Sequence, residues 1–317
     1  MKRIGFLWEK FIDRDNIKLA IKEVNKTHRS KFGKPNKVVL WVETNLEECV
    51  NNLIGIVSDE NFKPSPTKHK TIWDNSAMKY REIDEPPLWP DQYIHHMLIQ
   101  VLQPIMMRGM DYWCCASIKG RGTKRGIRGI KRWMRNEEET KYAAELDIYH
   151  FYDSLKQNVV IKRMKKLIKD KKILAFIKKL TSDGIKIGAY FSQWFANTVL
   201  QELDVFIRQQ LHIKYYIRYM DNLTLFSNNK TKLHYALNKI KSQLKSYFLE
   251  IKNNWQIYPT NKRLVCGLGY RYGHHYSILR KRSLFKLKRH IRLILRRQRR
   301  NLWIGFRVAA GLVSRVA

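Results

Sequence analysis

Two aspartates lie beside strand-like apolar segments, where a carboxylate could bind a metal ion. Asp147 lies near the end of residues 142–148, and Asp221 separates residues 215–218 from residues 223–226. A carboxylate among apolar residues is costly to bury without a compensating cation, and two of them on neighbouring strands would form an oxygen site for Mg²⁺. Two metal ions about 3.5–4 Å apart can activate a hydroxyl and stabilise a leaving phosphate group. Asp221 taken alone is more often an ordinary solvated turn residue.

The elements around the two aspartates must bring them together. Apolar periodicity predicts strands at 142–148, 215–218, 223–226 and 264–272, and helices at 155–180, 191–211 and 231–247. This order predicts an α+β fold in which helices pack on one face of an antiparallel sheet. The strand that ends near Asp147 and the hairpin that carries Asp221 would be neighbours in that sheet.

The residues before this region are predicted to be mostly helical. The predicted elements are helices at 5–30, 45–59 and 91–103, a further helix through Ile130 and Trp133, and a hairpin of 68–73 and 79–83 around the turn Asp74-Asn75-Ser76. A basic, glycine-rich loop is predicted at 119–126, and a strongly basic helix at 279–300.

The net charge indicates a polyanionic partner. The chain has 62 Lys and Arg against 27 Asp and Glu, a formal charge of +35. Such a charge repels itself unless a polyanion is nearby. No apolar run is long enough to cross a membrane, and residues 1–5 do not begin a signal peptide. We therefore expect nucleic acid as the partner, no membrane association and a cytoplasmic location. The four cysteines lack metal-site spacing and are expected to be buried thiols in a reducing compartment.

The segments around the two aspartates resemble motifs A and C of the reverse-transcriptase palm, and Tyr219-Met220-Asp221-Asn222 is similar to the family's Tyr-x-Asp-Asp box. Other segments follow in family order: residues 79–83 resemble the fingers strand, 115–123 the serine-then-glycine-rich segment, 184–197 motif B, 252–256 motif D and 267–271 the motif E primer grip. The resemblance covers roughly residues 1–290. So many motifs in one order are specific, whereas a single one would be weak.

The resemblance implies a right-hand polymerase fold. Its divisions would be an N-terminal extension and fingers at 1–142, a palm of antiparallel sheet and helices at 143–275 with a return to the fingers near 157–183, and a short, truncated helical thumb at 276–317. Motif B has the form Ile187-Gly188-x-x-x-Ser192-Gln193. That form is similar to the reverse transcriptases of diversity-generating retroelements, which are often borne by phages, and related bacterial enzymes act in defence against phage.

The resemblance also implies catalytic roles. Asp147 and Asp221 would bind two Mg²⁺ ions together with the carbonyl of Ile148, with Mn²⁺ as a second candidate metal. Lys252 would protonate the leaving pyrophosphate. Asn222 stands where the family has its second aspartate, and an amide brings no charge to a metal. This departure implies a preference for Mn²⁺ or a slow enzyme.

Substrate and nucleic-acid contacts are implied in the same way. Lys79 and Arg81 would neutralise the triphosphate; Tyr152 would exclude a ribose 2′-hydroxyl; Gly188 would let the backbone approach the nucleotide, beside Gln193; and Ile187, in place of a glutamine, would loosen nucleotide selection. The loop at 121–128 and the helix at 281–300 would follow the phosphate backbone. The expected nucleic-acid contacts are Arg121, Lys124, Arg125, Tyr219, Met220, Gly267, Leu268, Gly269, Tyr270, Arg280 and Lys281.

The sequence thus favours an RNA-directed DNA polymerase that makes cDNA on an RNA template in a phage or bacterial retroelement. Its partners would be an RNA template, a DNA or RNA primer and dNTPs, with an accessory protein or a structured non-coding RNA as further candidates. Three alternatives stay open. They are an antiphage-defence reverse transcriptase, a catalytically weak member that acts as a nucleic-acid-binding scaffold, and an RNA-synthesising polymerase.

Overall fold

The computed structural model describes residues 2–30, 32–74 and 79–313, without the side chains of Asp74, Lys79, residue 297 and residues 299–313. The expected turn at Asp74-Asn75-Ser76 therefore lies mostly outside the described residues, as does the last part of the expected thumb.

The described ranges contain thirteen α-helices and nine strands. The helices are α1 (Trp8–Phe11), α2 (Arg14–Thr27), α3 (Lys37–Thr44), α4 (Leu46–Ser58), α5 (Tyr93–Met107), α6 (Gly122–Met134), α7 (Phe151–Ser154), α8 (Gln157–Leu167), α9 (Lys171–Leu180), α10 (Tyr190–Val199), α11 (Gln201–Val205), α12 (Lys230–Lys245) and α13 (Lys281–Val313). The strands are β1 (Lys68–Asp74), β2 (Lys79–Glu85), β3 (Tyr142–Asp147), β4 (Tyr215–Tyr219), β5 (Asn222–Ser227), β6 (Gln256–Pro259), β7 (Val265–Gly267), β8 (Tyr270–Tyr272) and β9 (Ser277–Leu279). None of these helices is both long and apolar enough to cross a bilayer.

A four-stranded antiparallel sheet lies at the centre, in the order β4-β5-β3-β6. Successive side chains of a strand point to opposite faces. Ala144 and Leu146 therefore join the large core formed with α5, α8, α10 and α12, whereas Ala143 joins a second core with Ile130 and Trp133 of α6. The expected α+β class is confirmed, but the helices do not all lie on one face, because α6 covers the other.

Helix α6 corrects the expectation of a glycine-rich loop at 119–126, since it begins at Gly122. Two of its glycines face the protein. A Cβ at Gly126 would lie 2.3 Å from the side chain of Leu268, and one at Gly129 would lie 2.3 Å from the ring of Trp113. These glycines therefore allow the helix to pack closely against the protein. The high glycine content of the segment is also typical of a loop, and this is why the sequence predicted one.

The helix expected at 45–59 is confirmed as α4. Helix α3, which was not expected, ends just before it, where the side-chain amide of Asn45 donates to the Trp41 carbonyl at 2.9 Å. The strand expected at 264–272 is the hairpin of β7 and β8, because Leu268 (φ 52°) and Gly269 (φ 86°) form a left-handed turn. Strand β6 was not expected, since its four residues are too short to show a period.

The other sheets flank the central one. The hairpin of β1 and β2 is joined to the segment before α10 by a hydrogen bond from the Asp84 amide to the Ile187 carbonyl, at 2.9 Å. The three-stranded sheet β7-β8-β9 is fixed through Glu145 of β3, whose carboxylate accepts from Tyr258 Oη and from the Cys266 amide, both at 2.6 Å. Helix α13 then leaves the sheet with its described side chains mostly exposed.

Candidate active site

The strand register brings Asp147 and the turn with Asp221 together. Asp147 is paired with Asn222 across β3 and β5, so Asp221 lies one residue beyond the pair. The Ile148 amide donates to the Asp221 carbonyl at 3.1 Å. Met220 turns the chain with a φ of 55°, which is a strained conformation for a residue with a side chain. The backbone thus holds the two carboxylates at the same end of the sheet.

Two carboxylates and two basic side chains act on one another at this end of the sheet. Burial, and next the negative charge of Asp147, raise the pKa of Asp221 above its ordinary value, while Lys252 and Arg81 act in the opposite direction. Asp147 Oδ2 accepts from Lys252 Nζ at 2.7 Å. Asp147 Oδ1 is buried and has no hydrogen-bond partner in the part of the chain that is described. Such an orphaned carboxylate oxygen fits a site for a cation.

The two carboxylates by themselves do not supply a complete set of metal ligands. Within the described ranges, no group of three or more His, Cys, Asp or Glu side chains is arranged to hold a metal ion. A cation at the Asp147–Asp221 pair would need other oxygens, such as a backbone carbonyl, water or substrate phosphate. Mg²⁺ is typically held in this way, by one or two carboxylates with phosphates and water.

Lys252 and Asn222 both contact the carboxylates. Lys252 is tied to Asp147 twice, since its amide also donates to the Asp147 carbonyl at 2.8 Å. Asn222 is exposed, and its amide donates to Asp221 Oδ1 at 3.2 Å. An aspartate at position 222 would add a third negative charge here, whereas the amide supports the charge of Asp221.

Tyr152 lies beside the β4–β5 turn. Its hydroxyl is 3.8 Å from the Met220 sulfur. Burial, with a smaller contribution from Asp221, raises the pKa of Tyr152 above its ordinary value, and Arg81 opposes the shift. The phenol is therefore neutral at physiological pH. Arg81 is exposed on β2, and its charge acts on both Tyr152 and Asp221; the side chain of Lys79 lies outside the described residues.

Gly188 has a neighbour that the sequence did not suggest. Its φ is 118°, and a Cβ would lie 2.4 Å from the Asp84 carbonyl oxygen of β2. This glycine therefore allows the close approach of β2, and its expected contact with a nucleotide stays a prediction. Ile187 is half-buried next to it, and Gln193 is exposed on the first turns of α10.

Five of the expected nucleic-acid contacts lie in or against α6 or just before it. Arg121 donates to the Asp111 carbonyl, and Arg125 stacks over the Tyr112 ring at 4.4 Å, so both help to fix the segment before α6. Lys124 is exposed. Leu268 is partly buried and packs against α6 beside the second core, and Tyr270 is half-buried below Lys131. Their expected contacts with nucleic acid stay predictions.

The remaining expected contacts lie in the β4–β5 turn, the β7–β8 hairpin and the start of α13. Tyr219 and Met220 are half-buried in the β4–β5 turn. Gly267 and Gly269 form the β7–β8 turn, and Gly269 accepts from the Arg280 amide at 3.0 Å. Lys281 is exposed at the start of α13.

Sequence reasoning missed two features. Four exposed cations, Lys124, Arg128, Lys131 and Arg135, recur at intervals of four, three and four residues, and so share one side of α6. Their spacing could have been found had the segment been taken as a helix. Arg218, directly before the turn, is fully buried with Asp204. The only sign of this buried pair in the sequence was a charged residue within an apolar strand.

Comparison with known proteins identifies the family. Residues 75–255, which include both aspartates, match the family model described as reverse transcriptase (RNA-dependent DNA polymerase). The chain belongs to the reverse transcriptase family. Its members are nucleotidyltransferases, and the family expected from the motifs is confirmed. No curated protein sequence matches the chain.

Solved structures show the same fold for this reverse transcriptase. It is similar to the telomerase of Candida albicans in complex with a fragment of telomeric RNA, with a TM-score of 0.51 and 13% identity over 80% of this chain and 52% of that one. It is also similar to apo telomerase from Candida tropicalis, with a TM-score of 0.50 and 14% identity over 76% of this chain and 53% of that one. The chain spans about half the length of these telomerase chains. At this identity the likeness concerns the polymerase fold alone.

Replacing Asp221 by Asn should alter how stability depends on pH. A raised pKa means that the folded protein binds this proton more tightly than the unfolded chain does. The stabilisation is therefore complete below the ordinary carboxylate pKa and is lost as the pH rises through the raised pKa. In EDTA, the unfolding temperature of Asp221→Asn relative to wild type should rise between about pH 4 and pH 8.

The matched control is Glu138→Gln, which replaces an exposed carboxylate. Its unfolding temperature relative to wild type should stay constant over the same range. A constant difference for Asp221→Asn as well would contradict the raised pKa.

Proposed function

We propose that this chain is an RNA-directed DNA polymerase that makes cDNA by two-metal nucleotidyl transfer. The observation that carries the proposal is the pair of carboxylates at one end of the central sheet, with an unpartnered buried oxygen on Asp147. Asp147, Asp221 and the Ile148 carbonyl would hold two Mg²⁺ ions, with Mn²⁺ as a second candidate. When bound, the metals would make a primer 3′-hydroxyl more acidic and stabilise negative charge on the pyrophosphate.

The chain's own residues complete the chemistry. The 3′-oxygen attacks the α-phosphate of a dNTP, and the bond to pyrophosphate breaks. Lys252 Nζ, which is already at Asp147, is placed to donate a proton to the departing pyrophosphate. Arg81, with Lys79 on the same strand, would neutralise the triphosphate. The ring of Tyr152 would occupy the space of a ribose 2′-hydroxyl.

The basic side of α6 is proposed as a track for the phosphate backbone of the template–primer duplex. Its four cations, the last of them just past the end of the helix, are eleven residue steps apart from first to last. That is about 16 Å, a length that covers about five base pairs of duplex. The helix contains no acidic residue. Because Gly126 and Gly129 seat the opposite side against the protein, the cations are held facing outward. Tyr270, below Lys131, connects this track to the β7–β8 turn, Arg280 and Lys281.

We infer the finer context from motif B. The Ile187-Gly188-x-x-x-Ser192-Gln193 form favours a diversity-generating type in a bacterial or phage retroelement, acting in the cytoplasm, with antiphage defence as the alternative. The chain would divide into an N-terminal extension and fingers (1–142), a palm (143–275) with a return to the fingers near 157–183, and a short basic thumb (276–317). An accessory protein or structured RNA would supply further grip on the duplex.

A second candidate is a nucleic-acid-binding scaffold with weak catalysis. Asn222 favours it, because the site offers two carboxylates where the family has three. The two candidates differ in nucleotide incorporation and agree in RNA binding.

Purified protein should extend a DNA primer on an RNA template with Mg²⁺ or Mn²⁺. Asp147→Asn or Asp221→Asn should each lower the incorporation rate by about 10³-fold or more, because each removes a charge that faces the reacting phosphates. Asp153→Asn, which changes an exposed carboxylate six residues after Asp147, is the control and should incorporate like wild type. Tight RNA binding with no incorporation by wild type in either metal would establish the scaffold instead.

Tyr152→Ala should raise the use of ribonucleotides relative to deoxynucleotides by on the order of tenfold or more. The reason is that the ring, packed beside Met220, would no longer fill the space of the 2′-hydroxyl. The ratio of kcat/KM values for the two nucleotides measures this. Tyr152→Phe keeps the ring and should keep the discrimination; an unchanged ratio in Tyr152→Ala would refute the role.

Replacing the four cations on the exposed side of α6 by neutral residues should lower the salt dependence of duplex binding. Each lost phosphate contact reduces the slope of log K against log salt by about 0.7–0.9, so the four-residue variant should lose about 3 units of slope. The variant replaces these residues by Gln: Lys124, Arg128, Lys131 and Arg135. A control with equal charge loss on exposed residues of α8 and α9 replaces these by Gln: Lys162, Lys165, Lys172 and Lys178. Equal slopes for the two variants would exclude α6 as the track.

A further inference from the structure

Arg218 is a charged side chain with no exposure to solvent, directly before the Tyr219-Met220-Asp221-Asn222 turn. Its partner Asp204, in α11, is equally buried. Removing two charges from water is expensive, and a buried ion pair adds little net stability over apolar residues of similar size. A gain in stability is therefore a weak explanation for the pair. The groups that its hydrogen bonds hold in position are a better one.

Every N–H group of the guanidinium has a partner. An arginine has five such donors in a rigid plane. Nε and Nη2 bind the two oxygens of Asp204 at 2.8 and 2.7 Å, and Nη1 donates to Asn197 Oδ1 at 2.8 Å. The last two bonds reach backbone carbonyls: Asn197 at 3.4 Å, and Met220 at 3.2 Å.

The Met220 carbonyl is the peptide group directly before Asp221. The peptide group directly after Asp221 is held from the opposite side, since its carbonyl accepts from the Ile148 amide. Both peptide planes that flank the Asp221 Cα are thus fixed, one by Arg218 and one by the strand that carries Asp147. Because Met220 has a strained positive φ, the turn depends on such contacts to keep its conformation.

The same network joins the turn to helix α10. Asn197 lies in this helix, and its amide nitrogen donates to the Ala116 carbonyl at 3.1 Å. Tyr216 Oη donates to Asp204 Oδ1 at 2.7 Å, which fixes the carboxylate. The backbone of Arg218 itself bonds to Trp113 and Cys115, at 3.2 and 3.0 Å. A displacement of α10, which follows Gly188, would therefore be transmitted to Asp221.

We propose that Arg218, oriented by Asp204 and Asn197, is a positioning residue that sets the conformation of the turn carrying Asp221. The proposal rests on the proposed function in that Asp221 is taken as a catalytic carboxylate. Arginine is required because lysine has three donors on one nitrogen, so it cannot bind Asp204 at two oxygens and also reach Met220. The effect is on geometry, and binding of the duplex does not depend on it.

Two variants test the proposal, and one serves as a control. Arg218→Lys keeps the positive charge but loses the planar guanidinium that binds both oxygens of Asp204. The double variant Arg218→Met with Asp204→Leu removes both charges together, which buried pairs tolerate better than loss of one partner. The control is Arg208→Lys. Arg208 is also paired with an aspartate, Asp111, and also donates to a carbonyl of β4, that of Tyr216, but it does not contact the turn.

Three quantities are measured for each variant: the unfolding temperature, kcat and KM for nucleotide on a primed RNA template, and hydrogen exchange of a peptide spanning residues 216–224. In both Arg218 variants kcat should fall by about 10–100-fold with little change in KM, since misplacement by about 1 Å has that effect. Exchange at the turn should become faster, while the rest of the sheet exchanges as in wild type. Arg208→Lys should match wild type in kcat and in exchange at the turn.

A folded Arg218 variant with wild-type kcat and wild-type exchange at the turn would overturn the proposal, as would an equal loss in Arg208→Lys. If Arg218→Lys fails to fold, the double variant decides. If wild type incorporates no nucleotide, the proposed function fails, and the exchange measurement still decides whether Arg218 holds the turn.

Discussion

The repulsion between Asp147 and Asp221 is the constraint on which the rest of the structure depends. Asp221 lies partly buried at the same end of the sheet as Asp147, and burial, followed by the negative charge of Asp147, raises the pKa of Asp221. The fold holds them in place through backbone bonds that cannot yield easily, above all that from Ile148 to Asp221. The charges of Lys252 and Arg81 act against this shift. Among the described residues Asp147 Oδ1 has no hydrogen-bond partner, so this oxygen fits a cation.

A second buried charge pair lies behind this site. Arg218 and Asp204 occupy the face of the sheet opposite to the second core, among apolar residues that could have been packed without charge. The central sheet therefore has the Asp147–Asp221 carboxylates at one end and a compensated ion pair beneath them. Arg218 bonds to the Met220 carbonyl of the turn, and in the positioning role proposed for Arg218 the placement of Asp221 depends on this buried group.

The excess of positive charge is organised by packing. Helix α6 has Gly126 and Gly129 on the protein side, because a side chain at either would collide with Leu268 or Trp113. Lys124, Arg128 and Lys131 lie on its solvent side. Helix α13 has seven Lys and Arg and no acidic residue among residues 281–296. Both flank the β7–β8–β9 sheet, and a polyanion bound there would relieve the repulsion that the net charge of +35 implies.

Much of the fold followed from the sequence alone, because it depends on local patterns. Apolar runs of strand length placed β3, β4 and β5, and the aspartates within them marked the place of the site. The motif order indicated the family before any contact was known. Local pattern failed where it is short or ambiguous: β6 has four residues, and the glycines of α6 have the composition of a loop.

Tertiary structure alone decided the partners of the individual side chains. Gly188 faces the Asp84 carbonyl, Leu268 packs into α6, and Arg218 binds Asp204 and Asn197, and none of these pairs is close in sequence. Side-chain type states which bonds a residue can make, but only the packing of distant segments brings a partner within reach. The sequence therefore determined which residues could act on phosphate, and the tertiary structure determined which of them are free to do so and which are used to hold the site in shape.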